Sequence, residues 1–134
     1  MTITFIDSGV LVTASRGVED LSDKAISLLA SVDREFASSV FIKLEVLPKA
    51  IYHRQTDEVE FYQTFFSAIT YWADDTEKII QGGYKVACKY GLAAMDALHI
   101  AAAISVGAEE FITTEKPTKP MYRVTDIKVV YLFD

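Results

Sequence analysis

Residues 91–104, Gly-Leu-Ala-Ala-Met-Asp-Ala-Leu-His-Ile-Ala-Ala-Ala-Ile, constrain this chain more than any other stretch. The run is Ala-rich and apolar on nearly every face, which predicts a helix buried on most sides. Asp96 stands near its start. An ionised carboxylate among Ala, Leu, Met and Ile is costly to bury unless it finds a partner or shifts its pKa. As a plain first-turn residue, Asp96 would instead complement the positive end of the helix dipole. The helix alone leaves both roles open, and the placement of the other acids tips the balance.

The 134 residues suit one compact domain, expected to span residues 1–134. With 51% hydrophobic and 24% charged residues, the chain is globular rather than disordered. Asp96 and His99 interrupt the longest apolar run, so no membrane span is expected. Residues 1–7 carry neither a basic segment nor an apolar leader core, so no signal peptide is expected either. A single cysteine, Cys88, excludes an internal disulfide and a cysteine-based metal site, and the expected compartment is the cytosol. The formal net charge of −6 argues against broad electrostatic binding of nucleic acid. It leaves room for a nucleic-acid enzyme, because clustered carboxylates can hold cations that reverse the local field.

Along the chain, residues 2–6 are β-branched or aromatic and predict a strand ending at Asp7. A short helical or irregular piece follows and breaks at Gly17, and residues 18–34 have helical apolar spacing. Residues 38–42 predict a second strand running into a helix. Pro48 argues that this helix starts no earlier than Leu44. Residues 56–72 carry Phe61, Phe65, Ile69 and Trp72 at helical spacing. That aromatic stripe predicts core packing, with a dimer surface as its main rival. Asp74-Asp75-Thr76 caps a helix over 77–90 that Gly91 closes and the Gly82-Gly83 pair weakens. After the Asp96 helix, which Gly107 ends, residues 110–113 and 127–133 predict strands around a Pro-broken segment. Strands alternate with helices and no hairpin signal joins them. The expected architecture is therefore α/β, with a mostly parallel sheet of four to five short strands and helices on both faces.

In such a sheet all strand ends point to one rim, where ligands bind. Asp7 follows the first strand, Glu45 lies just past the second, and Glu115 follows the strand that the Asp96 helix feeds. Carboxylates crowded at one rim raise each other's pKa unless a cation neutralises them. Acids suit hard ions such as Mg2+ or Mn2+, which keep waters and leave positions open for a phosphate oxygen. Metal-assisted phosphodiester hydrolysis is the chemistry most naturally implied.

The same residues resemble the PIN-domain nucleases. Asp7-Ser8 after an N-terminal strand looks like that family's Asp-Ser/Thr start. Glu45 at the head of the next helix, Asp96-Ala97-Leu98-His99-Ile100-Ala101, and Phe111-Ile112-Thr113-Thr114-Glu115 match in order across almost the whole chain. The resemblance implies a parallel sheet flanked by helices, a divalent-metal site and cleavage of single-stranded RNA. Many small members are VapC-like toxins, paired with an antitoxin and usually dimeric. Two departures stand out. Gly9 occupies the place of the usual Asn, and the last acid is Glu115 in place of Asp.

The expectation is a PIN-like ribonuclease using Mg2+ or Mn2+, with Asp7 and Asp96 as principal ligands and Glu45 and Glu115 completing the site. Ser8 is weighed as a donor to Asp7 against a turn or cap role. Thr113 and Thr114 would orient Glu115 or a phosphate, or merely end the strand. His99 reads first as a packed, hydrogen-bonded histidine and second as a base. Lys43, Lys116 and Arg16 read first as solvated charges, and Cys88 as buried or inert. RNA is the expected substrate, an antitoxin the expected partner, and a homodimer the expected assembly. One rival keeps the fold as a binding module with a weakened metal site. The other, a phosphoaspartate protein using Asp7, is disfavoured because Gly9 stands two residues on, so the chain does not look like a haloacid-dehalogenase phosphatase, which has an Asp there.

Overall fold

The computed structural model describes residues 1–134. Its five strands form one sheet in the order β3-β2-β1-β4-β5, every neighbouring pair parallel. In chain order these are β1 (Thr2–Ile6), β2 (Arg34–Ser39), β3 (Tyr71–Ala73), β4 (Glu110–Thr113) and β5 (Lys128–Tyr131). Six helices flank them: α1 (Ser8–Arg16), α2 (Glu19–Leu29), α3 (Val40–Tyr52), α4 (Thr56–Ser67), α5 (Thr76–Tyr90) and α6 (Ala94–Ser105). The expected parallel α/β architecture is the one observed.

The core lies between the sheet and the inner face of α6, which packs on β2 and β3. Phe5 and Phe111 are fully buried and stack across the β1–β4 pair at 5.6 Å. On α6, Ala97, Ile100, Ala101, Ala102 and Ala103 are all buried, so the apolar run of residues 91–104 does form an inward helix. Its small side chains let α5 come close. A Cβ on Gly83 would lie 3.1 Å from the end of Leu98, and one on Gly82 would lie 3.4 Å from Ala101. The glycine pair therefore does not interrupt α5; it marks where α6 crosses it.

Several boundaries differ from the sequence expectation, each for a local reason. β2 covers Arg34–Ser39 instead of 38–42, so residue 34 belongs to a strand and not to the preceding helix, which ends at Leu29. Arg34 and Glu35 hide the strand signal because the polar side chains at that edge satisfy one another. Arg34 Nε lies 2.8 Å from Glu110 Oε2, and Thr4 donates to the same oxygen at 2.6 Å. α3 begins at Val40, ahead of the limit that Pro48 suggests, with Ser39 as its N-cap. The missing Pro48 N–H orphans only the Leu44 carbonyl, and both residues face solvent, where water can pair with it.

The predicted helix over 56–72 stops at Ser67, and its last aromatic, Trp72, belongs to β3. Three residues are too few to show a period of two, and the aromatics happen to continue the helical spacing. Phe61, Phe65, Ile69 and Trp72 are all half-buried, and the fully buried aromatic of α4 is Tyr62, one position round from Phe61. Phe65 packs on Phe36, and Phe66 on Trp72. The last strand is shorter than 127–133, and a 3-10 turn at Pro120–Arg123 occupies the Pro-broken segment. Cys88, expected to be buried or inert, is exposed on α5. No helix is long and apolar enough to cross a membrane.

The stacked ring pair anchors the β1–β4 junction. Phe111→Ala should cost about 3–5 kcal/mol in urea unfolding. Val32→Ala, at an 81% exposed side chain, should stay within about 0.5 kcal/mol of wild type.

Candidate metal centre

The strand order reverses at β1: β2 and β3 lie on one side, β4 and β5 on the other. In open parallel sheets the crevice beyond the strand ends at such a reversal is where ligands bind. Asp7 stands there, one residue past β1. Its N–H continues the ladder to the Ile112 carbonyl at 3.0 Å, which brings it alongside Thr113 at the end of β4. The Thr113 hydroxyl donates to Asp7 Oδ2 at 2.7 Å, and the Ser8 N–H donates to Oδ1 at 2.8 Å. Asp7 thus directly follows β1, caps the N-terminus of α1, and is a carboxylate clamped from two sides.

Thr113 also ties in the next acid. While donating to Asp7, its hydroxyl accepts from the Glu115 N–H at 3.1 Å. The Tyr122 hydroxyl donates to the Glu115 carbonyl at 2.6 Å, so the backbone after β4 is held while the acid itself stays exposed. Thr114 Oγ1 fills the space that a Cβ on residue 9 would need and would collide with it. This explains the departure at Gly9: a side chain here requires Thr114 to turn away.

Glu45 reaches the same rim from the second turn of α3, not from its start. Its Oε1 lies 2.6 Å from Nε2 of His99, which is 2% exposed on α6. One ligand-type atom each from Asp7, Glu45 and His99 lie within 4.8 Å of one another. Asp96 is half-buried in the first turn of α6. It and Glu115 lie outside that tight group, yet Asp96 feels the charges of both Glu115 and Glu45. The structure therefore brings the four predicted acids to one rim, with Asp7 and Glu45 closest. His99 is the member whose place in the cluster residue patterns understate. Its position three residues after Asp96, hence on the same helix face, is the signal that points to it.

The acids titrate in opposite senses. Burial pushes the Asp7 carboxyl up, against the hydrogen bond from Thr113, the charge of His99 and the Ser8 N–H. Burial raises Asp96 too, helped by the nearby Glu115 and then Glu45 charges. Glu45 is lowered, chiefly by its hydrogen bond with His99, with a smaller contribution from the Ser8 hydroxyl. Two carboxylates disfavoured as anions beside one held as an anion make a site short of positive charge. A hard divalent cation fits this largely oxygen donor set.

A family model described as PIN domain matches residues 4–119. No curated protein sequence matches. Among solved structures, the toxin-antitoxin complex from Klebsiella pneumoniae superposes at a TM-score of 0.75, with 19% identity over 96% of this chain and 97% of that one. VapBC2 from Rickettsia felis, bound to a DNA fragment from its promoter, gives 0.74 at 16% identity, covering 97% and 98%. Mycobacterium tuberculosis VapC20, a Sarcin-Ricin loop cleaving toxin, gives 0.67 at 12% identity, covering 93% and 98%. At these identities the likeness to the solved structures speaks for the fold.

The raised Asp7 pKa carries a sign. Below about pH 4 the group is protonated folded or unfolded and contributes nothing. As pH rises from there toward the higher folded-state value, the unfolded chain ionises while the buried carboxyl keeps its proton, so stability falls until that value is passed. Metal-free Asp7→Asn should therefore gain on wild type in urea unfolding as pH rises from about 4 to 7. A difference that is flat across that range contradicts the assignment.

Proposed function

Because this chain belongs to the PIN domain family, we propose that it is a divalent-metal-dependent endoribonuclease acting on single-stranded RNA. Its biological role on this reading is the toxin of a toxin–antitoxin pair, working as one domain over residues 1–134. The observation that carries the proposal is the rim itself. Asp7, Glu45, Asp96 and Glu115 converge at the reversal point of a parallel sheet, with buried Asp7 disfavoured as an anion until a cation joins it.

Asp7 and Asp96 would hold Mg2+ or Mn2+, with Glu45 and Glu115 completing the site directly or through water. When bound, the cation supplies Lewis-acid stabilisation of charge developing on the phosphate. The chain's own residues supply the geometry. Thr113 and the Ser8 N–H fix both oxygens of Asp7, His99 fixes Glu45, and Thr113 anchors the backbone that carries Glu115. Hydrolysis then adds water across the P–O bond: the water oxygen bonds to phosphorus and the ribose oxygen leaves with a proton.

Two of the similar solved structures are toxin–antitoxin assemblies, which supports an antitoxin partner here. A homodimer would have apolar surface to use. α3 exposes Val40, Leu44 and Ile51 along its length, more than the half-buried aromatics of α4 offer. The second reading is a binding module with a weakened site. It draws on the exposed Glu115 and on Gly9, whose missing side chain leaves Thr114 in its space.

Cleavage of a labelled single-stranded RNA pool tests the proposal. Activity should appear with Mn2+, vanish with chelator, and fall at least about 100-fold in both Asp7→Asn and Asp96→Asn. Equal cleavage by wild type and variants overturns it. A folded wild type that neither cleaves RNA nor binds Mn2+ favours the binding module.

A further inference from the structure

His99 is the buried polar group at the rim that the acids alone do not explain. Its imidazole is 2% exposed, Nε2 lies 2.6 Å from Glu45 Oε1, and Nδ1 has no hydrogen-bond partner. Beside a metal centre such a ring can be a ligand, or it can hold a ligand in place. The two roles put the imidazole proton on different nitrogens.

We propose that His99 is a positioning residue for Glu45: its Nε2–H holds Oε1, leaves Oε2 as that side chain's free donor atom, and gives the cation no nitrogen ligand. The inference rests on the metal-centre reading above and extends it to the support of one ligand. Three observations carry it. First, two adjacent ligands on an octahedral ion at about 2.1 Å lie about 3 Å apart. The observed 2.6 Å is instead the length of a short, charge-assisted hydrogen bond. Second, an Nε2 that gave its lone pair to a metal would carry its proton on Nδ1. A metal-ligating histidine almost always donates that second N–H to a partner. Here Nδ1 is buried and faces none, so a proton there would be an orphan donor, whereas a bare Nδ1 leaves only an unpaired acceptor. Third, Glu45 needs holding. It sits on the exposed side of α3, and its short hydrogen bond across to α6 is made with His99. Because His99 follows Asp96 by three residues on α6, one rigid helix would set both the Asp96 carboxylate and the direction of Glu45.

The test compares His99→Gln, which keeps a side-chain N–H donor near the position of Nε2, with His99→Met, which fills the space without one. Calorimetric titration of the full-length protein with Mn2+ should place His99→Gln within about threefold of wild type and His99→Met about 10–100-fold weaker. In a Glu45→Gln background, His99→Met should add little. If His99→Gln falls as far as His99→Met, and Zn2+ binding suffers most, the ring is a ligand and the proposal is overturned. Imidazole 15N spectra of wild type need no variant to fold. They should show a protonated Nε2 and a bare Nδ1, with and without Mg2+. A proton on Nδ1 overturns the proposal. If wild type binds no Mn2+ at all, the metal-centre reading fails, while the spectra of the free protein still decide whether His99 holds Glu45.

Discussion

The hydrogen bond from Thr113 to Asp7 joins the two halves of this protein at the point where the sheet changes direction. β1 has β2 on one side and β4 on the other, and the crevice between β1 and β4 exists only because the chain leaves the centre twice. A buried carboxylate at that seam would be a liability if unpaired. Thr113 and the Ser8 N–H make it a fixed feature, and the same Thr113 hydroxyl receives the Glu115 N–H. Two acids from distant parts of the chain thus share one hydroxyl as their reference point. Behind them the Phe5–Phe111 stack and the alanine face of α6 supply the rigid floor.

The electrostatics of the rim follow from that placement. Ordinary folding would bury Asp7 and Asp96 only at a cost, and both carboxyls are indeed pushed up by burial. Glu45 is treated in the reverse manner, kept ionised by its contact with His99. A site built this way is under-neutralised in the free protein. That imbalance is what the proposed cation would remove, and it links the stability of the chain to occupancy of the site.

Much of the fold could be read from residues alone, because strong local signals agree with the tertiary result. The β-branched run ending at Asp7, the Asp75 cap and Gly91 close of α5, and the apolar face of α6 all appear where expected. The misreadings occur where tertiary contacts override local pattern. β2 begins with Arg34 and Glu35, whose charges look like surface until Glu110 and Thr4 are seen across the sheet edge. β3 is too short to show alternation, and Pro48 breaks no helix because its orphaned carbonyl faces water. The convergence of the acids was legible through one rule, that parallel strands end at one rim. The contact between Glu45 and His99 was not, since it spans 54 positions between helices whose relative angle no periodicity encodes.

The central claim is that this rim, with Asp7 at its floor, holds a divalent cation. Crystals of the full chain grown with Mn2+ and measured at the manganese absorption edge address it most directly. An anomalous peak is expected at the rim, beside the Asp7 carboxylate and among Asp96, Glu45 and Glu115. Fully occupied Mn2+ on another face, or none at the rim at concentrations that saturate binding in solution, would contradict it.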